Sequence, residues 1–221
     1  FGADYHARLD DVGKATDFVG YDQIHAAARV VSLLVEGQPV DAIEAGAAGV
    51  LVLDTTPFYG ESGGQVGDTG QIAGDEFTFT VTDTQKQSGV FLHFGHVDSG
   101  TATAGVAVNA EVDIARRHDI ELNHTATHLL HAALRETLGS HVRQKGSMVA
   151  PDRLRFDFSH FEAVTPEQLA TIEAQVNDIL EAMADTAEAS EEERIVAEAR
   201  RCTAEGDAGE YDLPERGEDQ A

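Results

Sequence analysis

Hydrophobic positions in the first half of the chain follow the period of two that is typical of β-strands. Within residues 76–82, Phe77, Phe79 and Val81 alternate with threonines, as in a strand with one buried face. Similar short runs, rich in valine, isoleucine and leucine and bounded by glycine, proline or aspartate, cover residues 29–35, 49–53, 90–97 and 105–114. Short strands at this close spacing, joined by glycine-rich turns, predict a small β-barrel or sandwich over residues 28–114.

The pattern changes to a helical period in residues 121–147, of which the first two thirds are predicted to be a helix. At about 100° per residue, four side chains fall on one narrow stripe, namely His124, His128, His131 and Arg135. Four other side chains fall on the opposite side and form the predicted apolar face, namely Leu122, Ala126, Leu129 and Ala133. We therefore expect the histidines to point away from the apolar face.

Two histidines one turn apart on a helix can bind one metal ion. His124 and His128 have this spacing. The plainer alternative is a solvated polar stripe that binds nothing, and the spacing alone favours neither. Thr125 stands where a zinc-protease helix carries its catalytic glutamate, so peptide hydrolysis by that route is excluded.

A strand and a second helix are predicted after the histidine helix. Leu154, Phe156 and Phe158 alternate with polar residues, which indicates a half-buried strand. The segment Thr165-Pro166-Glu167-Gln168 predicts a helix start, because threonine caps, proline suits the first helical position and glutamine completes a capping box. The apolar stripe of that helix is predicted to be Leu169, Ile172, Val176, Ile179 and Met183.

These patterns predict an α+β protein in four parts. Residues 1–27 are expected to be a linker or the remnant of a preceding domain, and residues 28–114 the barrel. Residues 115–202 are expected to form an incomplete α+β core that ends in a short helix through Arg201. Residues 203–221 hold little apolar material and several acidic residues, so we expect a disordered acidic tail. Because the chain starts at Phe1 rather than methionine, we expect it to be a piece of a longer protein.

Charge is distributed unevenly along the 221 residues. The net charge of -25, from 40 acidic and 15 basic residues, would ordinarily argue against a nucleic-acid partner. Residues 115–155, however, hold seven basic residues against four acidic ones, a net charge of +3. This basic island is a candidate contact for an RNA backbone.

The single cysteine, Cys202, excludes an internal disulfide and fits a reducing cytoplasm. No apolar run approaches the roughly 18 residues that a membrane span needs. We therefore expect a cytoplasmic protein without a membrane partner, and the sequence does not indicate its oligomeric state.

The segment of residues 55–70, TTPFYGESGGQVGDTG, is rich in glycine. Glycines allow close backbone approach and expose N–H groups to anions. The alternative is a long hairpin loop, which local composition alone favours. Gly63-Gly64-Gln65 also matches the tripeptide that peptide-release factors use for ester hydrolysis, although its surroundings do not support that interpretation.

Several motifs, in one order along the chain, resemble the editing region of alanyl-tRNA synthetases, which is shared with the free-standing alanyl-tRNA editing proteins. They are GYD at 20–22, LDTTPFYGESGGQVGDTG at 53–70, DTQK at 83–86, NHTATHLLHAALRETLG at 123–139, QKGS at 144–147 and RLRFDFSHFE at 153–162. The resemblance covers residues 18–185. The GYD segment ahead of the barrel favours a synthetase over the free-standing proteins.

The resemblance implies hydrolysis of serine or glycine wrongly esterified to alanine tRNA, with the acceptor end of that tRNA as partner. His124 and His128 match the first half of the family's zinc site. Thr127 and Ser147 match polar pocket residues, and Gln144 matches the glutamine that positions the aminoacylated end. As tRNA contacts we predict Arg143 and Lys145 of the basic island together with Gly63, Gly64 and Gln65.

The chain departs from the family where the zinc site should be completed by a Cys-Gly-Gly-Thr-His segment. No histidine follows His160, and Cys202 is followed by Thr-Ala-Glu-Gly. We therefore expect a zinc site that is incomplete in this chain, with an inactive tRNA-binding or structural module as the alternative function. No ATP-binding segment is recognised, so ligase activity is expected only in a missing N-terminal part.

Overall fold

The computed structural model describes residues 15–185, with side chains through residue 180. In chain order its elements are β1 (Asp17–Phe18), β2 (His25–Val35), β3 (Gln38–Val40), β4 (Ala42–Glu44), β5 (Ala48–Leu53), β6 (Thr55–Thr56), β7 (Gly70–Gly74), β8 (Phe77–Gln87), β9 (Val90–Thr103), β10 (Ala107–Val112), α1 (Ile114–Leu138), β11 (Arg143–Val149), β12 (Leu154–Ser159) and α2 (Pro166–Asp185). The predictions for residues 190–221, including Cys202, lie outside the described residues.

Six antiparallel strands close into a barrel. The ladder runs β10-β7-β8-β9-β5-β2, and β10 pairs with β2 to complete the ring. β3 extends from β2, and β4 pairs with β9. Closure leaves no open edge among these six strands. The predicted α+β class with a small barrel is confirmed.

The barrel interior is built by the alternation seen in the sequence. Phe77, Phe79 and Val81 are buried in the main core, while the threonines between them point outward. β8 extends to Gln87, beyond the predicted end of the strand. The polar continuation is held by pairing with β9 rather than by an apolar face, and a register shift between Val81 and Asp83 interrupts the alternation.

The described chain divides into two compact units at Ile120/Glu121. Helix α1 begins in the first unit and continues into the second. It starts at Ile114, earlier than predicted, because Asp113 acts as its N-cap and accepts a hydrogen bond from the backbone N–H of Arg116 at 3.1 Å. It ends at Leu138, and the following Gly139 has φ +114°.

In the second unit, β11 and β12 form an antiparallel hairpin. The predicted strand at 154–158 is confirmed as β12, whereas β11 was not predicted because RQKGSMV has no regular apolar alternation. Apolar residues of this hairpin, of α1 and of α2 share one core, formed by Leu130, Ala133, Leu134, Leu138, Val142, Phe156, Phe158, Val164, Ile172 and Val176.

The predicted capping box at the start of α2 is confirmed. Thr165 N–H donates to Gln168 Oε1 at 2.9 Å, and Gln168 N–H donates to Thr165 Oγ1 at 3.3 Å. The predicted apolar stripe is only partly right, because Ile172 is buried but Leu169 is 55% exposed. Neither helix within residues 15–185 combines the length and the apolar character that crossing a membrane requires.

Candidate functional site

His124 and His128 direct the same ring atom towards each other on consecutive turns of α1. Their Nε2 atoms are 3.0 Å apart, and their rings are nearly parallel, with centroids 5.0 Å apart and an interplanar angle of 23°. Two imidazole nitrogens bound tetrahedrally to one zinc ion at about 2.0–2.1 Å would lie about 3.3 Å apart. The pair therefore fits one metal ion with little adjustment.

Both rings favour the neutral form that a metal ligand requires. Desolvation by the surrounding protein, and secondarily the neighbouring His128, lower the pKa of His124 to about 4. Desolvation also lowers the pKa of His128. At neutral pH an imidazole of this kind carries an unprotonated nitrogen, which is the form that binds zinc.

Histidine, cysteine, aspartate and glutamate side chains do not form a group of three or more suited to a metal ion anywhere in residues 15–185. Within the described part of the chain, His124 and His128 therefore stay two candidate ligands, and their role in binding a metal stays a prediction. Zinc remains an expectation, and Cys202 lies outside the described residues.

The third histidine of the stripe is not on a solvated face. The His131 ring lies 5.1 Å from the Phe156 ring of β12. Desolvation, followed by the nearby charges of Arg135, His128 and Arg143, lowers the pKa of His131. The opposite side of α1 also differs from the prediction, because Leu122 is 46% exposed whereas Leu129 and Ala133 are buried. The hairpin packs over part of the histidine stripe, so the helix is covered on more than its predicted apolar face.

Gln144 and Ser147 lie side by side on β11. Gln144 Nε2 donates to Ser147 Oγ at 3.0 Å. The ladder pairs Gln144 with Phe158 and Ser147 with Phe156, and Lys145 is the extra residue of a β-bulge. Directly paired residues point to the same face of a hairpin, so both polar side chains share the face of Phe156 and Phe158, which packs on α1.

Thr127 is buried, and its hydroxyl donates to the backbone carbonyl of Asn123 at 2.7 Å. This bond uses the only proton of the hydroxyl, so the oxygen can serve a ligand only as an acceptor. The predicted pocket role of Thr127 stays a prediction, with this limit on its chemistry.

Asn123 is a structural contributor that the sequence reasoning missed. Its side-chain amide donates to the carbonyls of Ala150 at 2.8 Å and Pro151 at 3.1 Å. These bonds attach the end of β11 to the helix turn that carries His124. The position of Asn123 directly before His124 was the sequence signal that could have indicated this role.

The predicted tRNA contacts Gly63, Gly64 and Gln65 lie at the tip of a tight turn. Gln65 and Ser62 exchange backbone hydrogen bonds, with N–O distances of 2.9 and 3.2 Å. Gly63 and Gly64 have φ +60° and +87°, as in a type I′ turn, which explains both glycines. This geometry supports the hairpin interpretation locally, and RNA contact stays a prediction.

The base of the glycine-rich segment is held by a buried ion pair that sequence patterns did not reveal. The Arg117 guanidinium contacts the Asp68 carboxylate, with its Nε 3.1 Å from Oδ2, and also donates to the carbonyls of Gly20 at 3.0 Å and Pro57 at 2.6 Å. Asp68 accepts a further bond from Tyr59 N–H at 2.7 Å. One arginine therefore joins the segment to the start of α1 and to the GYD motif.

Arg143 and Lys145, the other predicted tRNA contacts, are exposed on β11. Arg143 pairs with Ser159 at the end of the ladder, and Lys145 occupies the bulge. Both cations are therefore presented next to Gln144, within the basic island.

Comparison with known proteins identifies the family. The family described as tRNA synthetases class II (A) matches residues 2–116. The chain belongs to this family of class II tRNA synthetases.

The relatives within the family are alanine–tRNA ligases. The chain is 54% identical over 177 residues to the alanine–tRNA ligases of Pseudomonas entomophila and of Pseudomonas fluorescens, and each match covers 80% of this chain. The resemblance to alanyl-tRNA synthetases that the motifs indicated is confirmed. The chain spans 20% of the length of each of these relatives.

Proposed function

We propose that this chain hydrolyses the ester bond of alanine tRNA mischarged with serine or glycine, as a quality-control step of translation in the cytoplasm. The observation that supports it most directly is the His124–His128 pair, whose Nε2 atoms lie 3.0 Å apart and whose rings favour the neutral form because burial lowers the pKa of both. Ester hydrolysis needs a polarised carbonyl or an activated water, and a metal ion on such a pair supplies either.

His124 and His128 would hold a zinc ion, which when bound provides Lewis-acid chemistry. Gln144 and Ser147 would orient the aminoacylated end of the tRNA by exchanging their mutual hydrogen bond for bonds to the substrate. Thr127, limited to accepting hydrogen bonds, suits a donor such as the hydroxyl of serine or the ammonium group of the esterified amino acid. These roles all use side chains of one compact unit.

The acceptor end of alanine tRNA is the proposed partner. A chain with net charge -25 needs a local excess of positive charge to bind RNA. The basic island meets this need and exposes Arg143 and Lys145 beside Gln144. Contacts of this kind position the RNA backbone without reading its sequence.

A second candidate is a tRNA-binding or structural module without catalytic activity. It is favoured by one observation, namely that residues 15–185 offer two metal ligands in place of the three or four that tight zinc sites use. In this case the histidine pair would be a remnant of the site.

The experiment is deacylation of seryl-tRNA for alanine by the full chain, with and without added zinc. Release of serine that falls at least 100-fold in His124→Ala supports the proposal. The matched control is His118→Ala, an exposed histidine on the same helix, which should leave the rate unchanged. Absence of hydrolysis with added zinc defeats the catalytic claim, and tRNA binding without hydrolysis establishes the second candidate.

A further inference from the structure

Three aromatic rings form a platform just beyond the ladder of the β11–β12 hairpin. The His141 and His160 rings lie edge to edge, joined by a hydrogen bond of 2.8 Å between His141 Nε2 and His160 Nδ1, with an interplanar angle of 18°. Phe161 stacks over His141, with centroids 4.4 Å apart and an interplanar angle of 21°. We call these three residues the aromatic platform.

The open side of the platform is a large apolar surface. Phe161 is 86% exposed, the highest value among the exposed large hydrophobic side chains of the described residues. Its ring is oriented by stacking on His141 rather than by burial in a core. A planar group placed on the outer face would cover apolar area without having to order the ring first.

The histidines beneath Phe161 are held in place from within the unit. The His160 Nε2 atom is buried and has no hydrogen-bond partner among residues 15–185. The hydrogen bond of 2.8 Å between His141 Nε2 and His160 Nδ1 holds the two rings in one relative orientation. The lower layer of the platform is thus oriented from within the unit.

The positive charge of Arg143 next to the platform indicates which class of ligand the platform would bind. Arg143 pairs with Ser159 in the last step of the ladder. Along the chain, Arg143 is two residues from His141 and Ser159 is two residues from Phe161. Arg143 is exposed and belongs to the basic island. A flat aromatic surface beside a cation is the combination that binds a single-stranded nucleotide, with the base on the ring and the phosphate on the cation.

We propose that the aromatic platform is a stacking subsite for an unpaired base at the 3′ end of the tRNA, with Phe161 as the contacting ring. The inference rests on the proposed function, since it concerns the same RNA partner. The subsite would add a contact with the RNA beyond those of the Gln144–Ser147 pair and of the His124–His128 pair. Stacking on an aromatic ring is tolerant of base identity, so this subsite would contribute affinity rather than sequence choice.

The test uses the full chain and exploits its lack of tryptophan. Phe161→Trp introduces the only tryptophan of the chain at the platform, which can be excited selectively over the four tyrosines. We expect its fluorescence to be quenched by alanine tRNA and not by a blunt hairpin of the same acceptor stem that lacks the unpaired 3′ nucleotides. Unchanged fluorescence at saturating tRNA overturns the subsite.

Affinity gives an independent measurement. Phe161→Leu keeps an apolar side chain but removes the ring, and it should weaken tRNA binding about tenfold. Because Phe161 is exposed, the fold should be retained, which circular dichroism checks. The matched control is Leu169→Ala, another exposed apolar position of the same unit, with unchanged affinity expected. Equal affinity of Phe161→Leu and wild type overturns the subsite alone, whereas absence of tRNA binding by wild type overturns the proposed function as well.

Discussion

Gln144 and Ser147 form a side-chain hydrogen bond of 3.0 Å although they are three residues apart in a β-strand. A regular strand would place them on opposite faces, because side chains alternate with a period of two. Lys145, inserted as a bulge, shifts the register so that both face the same side as Phe156 and Phe158. The bulge therefore assembles two predicted site residues and at the same time presents a cation beside them.

Ser147→Ala should lower the rate of seryl-tRNA deacylation about tenfold while leaving the stability within about 0.5 kcal/mol of wild type. The hydroxyl that accepts from Gln144 Nε2 is lost, so the glutamine amide is less well oriented. Ser147→Thr retains a hydroxyl and is the matched control. Rates are measured under single-turnover conditions, and equal rates for the alanine and threonine variants contradict this role.

His124→Ala should abolish binding of zinc, because one remaining imidazole cannot hold the ion. Equilibrium dialysis with added zinc is expected to give about one bound zinc per chain for wild type and none for the variant. His118→Ala, on the exposed side of the same helix, should retain the wild-type amount. A wild-type chain that carries no zinc would remove the metal from the proposal.

Arg117→Met should lower the free energy of unfolding by about 3 kcal/mol or more, since it leaves the Asp68 carboxylate buried without its cation. The side chains of Arg117 and Asp68 are 11% and 2% exposed. Urea unfolding followed by circular dichroism measures the effect. The control is Arg153→Met, whose partner Asp152 is 67% exposed, and there the loss should stay below about 1 kcal/mol.

A double variant separates charge from hydrogen bonding at the same place. Asp68→Asn with Arg117→Met removes the isolated charge, so part of the lost stability should return. The loss in free energy of unfolding that remains in the double variant measures the contribution of the hydrogen bonds from Arg117 to the carbonyls of Gly20 and Pro57. A double variant as unstable as the sum of the two single variants would show that the charges are not coupled.

His93 should make the barrel less stable at mildly acidic pH. It is buried, with Nδ1 donating to the Leu51 carbonyl at 2.9 Å and Nε2 accepting from the Thr56 hydroxyl at 2.7 Å. Burial lowers its pKa from 6.5 to about 4. The folded state therefore binds the proton less readily than the unfolded chain, so stability is complete above pH 6.5 and is lost as the pH falls towards 4.

The measurement is the free energy of unfolding between pH 7.5 and pH 5, where one such histidine changes stability by at most about 1.4 kcal/mol per pH unit. His93→Gln should be less stable at pH 7.5 but should show a smaller pH slope than wild type. His118→Gln, at an exposed position, should keep the wild-type slope. Identical slopes for His93→Gln and wild type would show that His93 does not titrate as described.

Local patterns predicted a large part of this protein. The alternation of Phe77, Phe79 and Val81, the capping box at Thr165 and the spacing of His124 and His128 each depend on residues within one strand or one helix turn. Their geometry follows from the backbone period, so the sequence was sufficient to predict the barrel strands, the start of α2 and the placement of His124 and His128 on one side of the helix.

The tertiary structure alone decided which distant groups meet. Asp68 and Arg117 are 49 residues apart, and His141 and His160 are 19 apart, so no local period connects them. β11 was missed because its place depends on pairing with β12. Leu122 was assigned to the buried face, but it is 46% exposed although Leu129 and Ala133 on that face are buried. Burial and ladder register are properties of the packed chain, and for that reason the bulge at Lys145, the arginine that holds the glycine-rich segment and the aromatic platform appear only when the chain is folded.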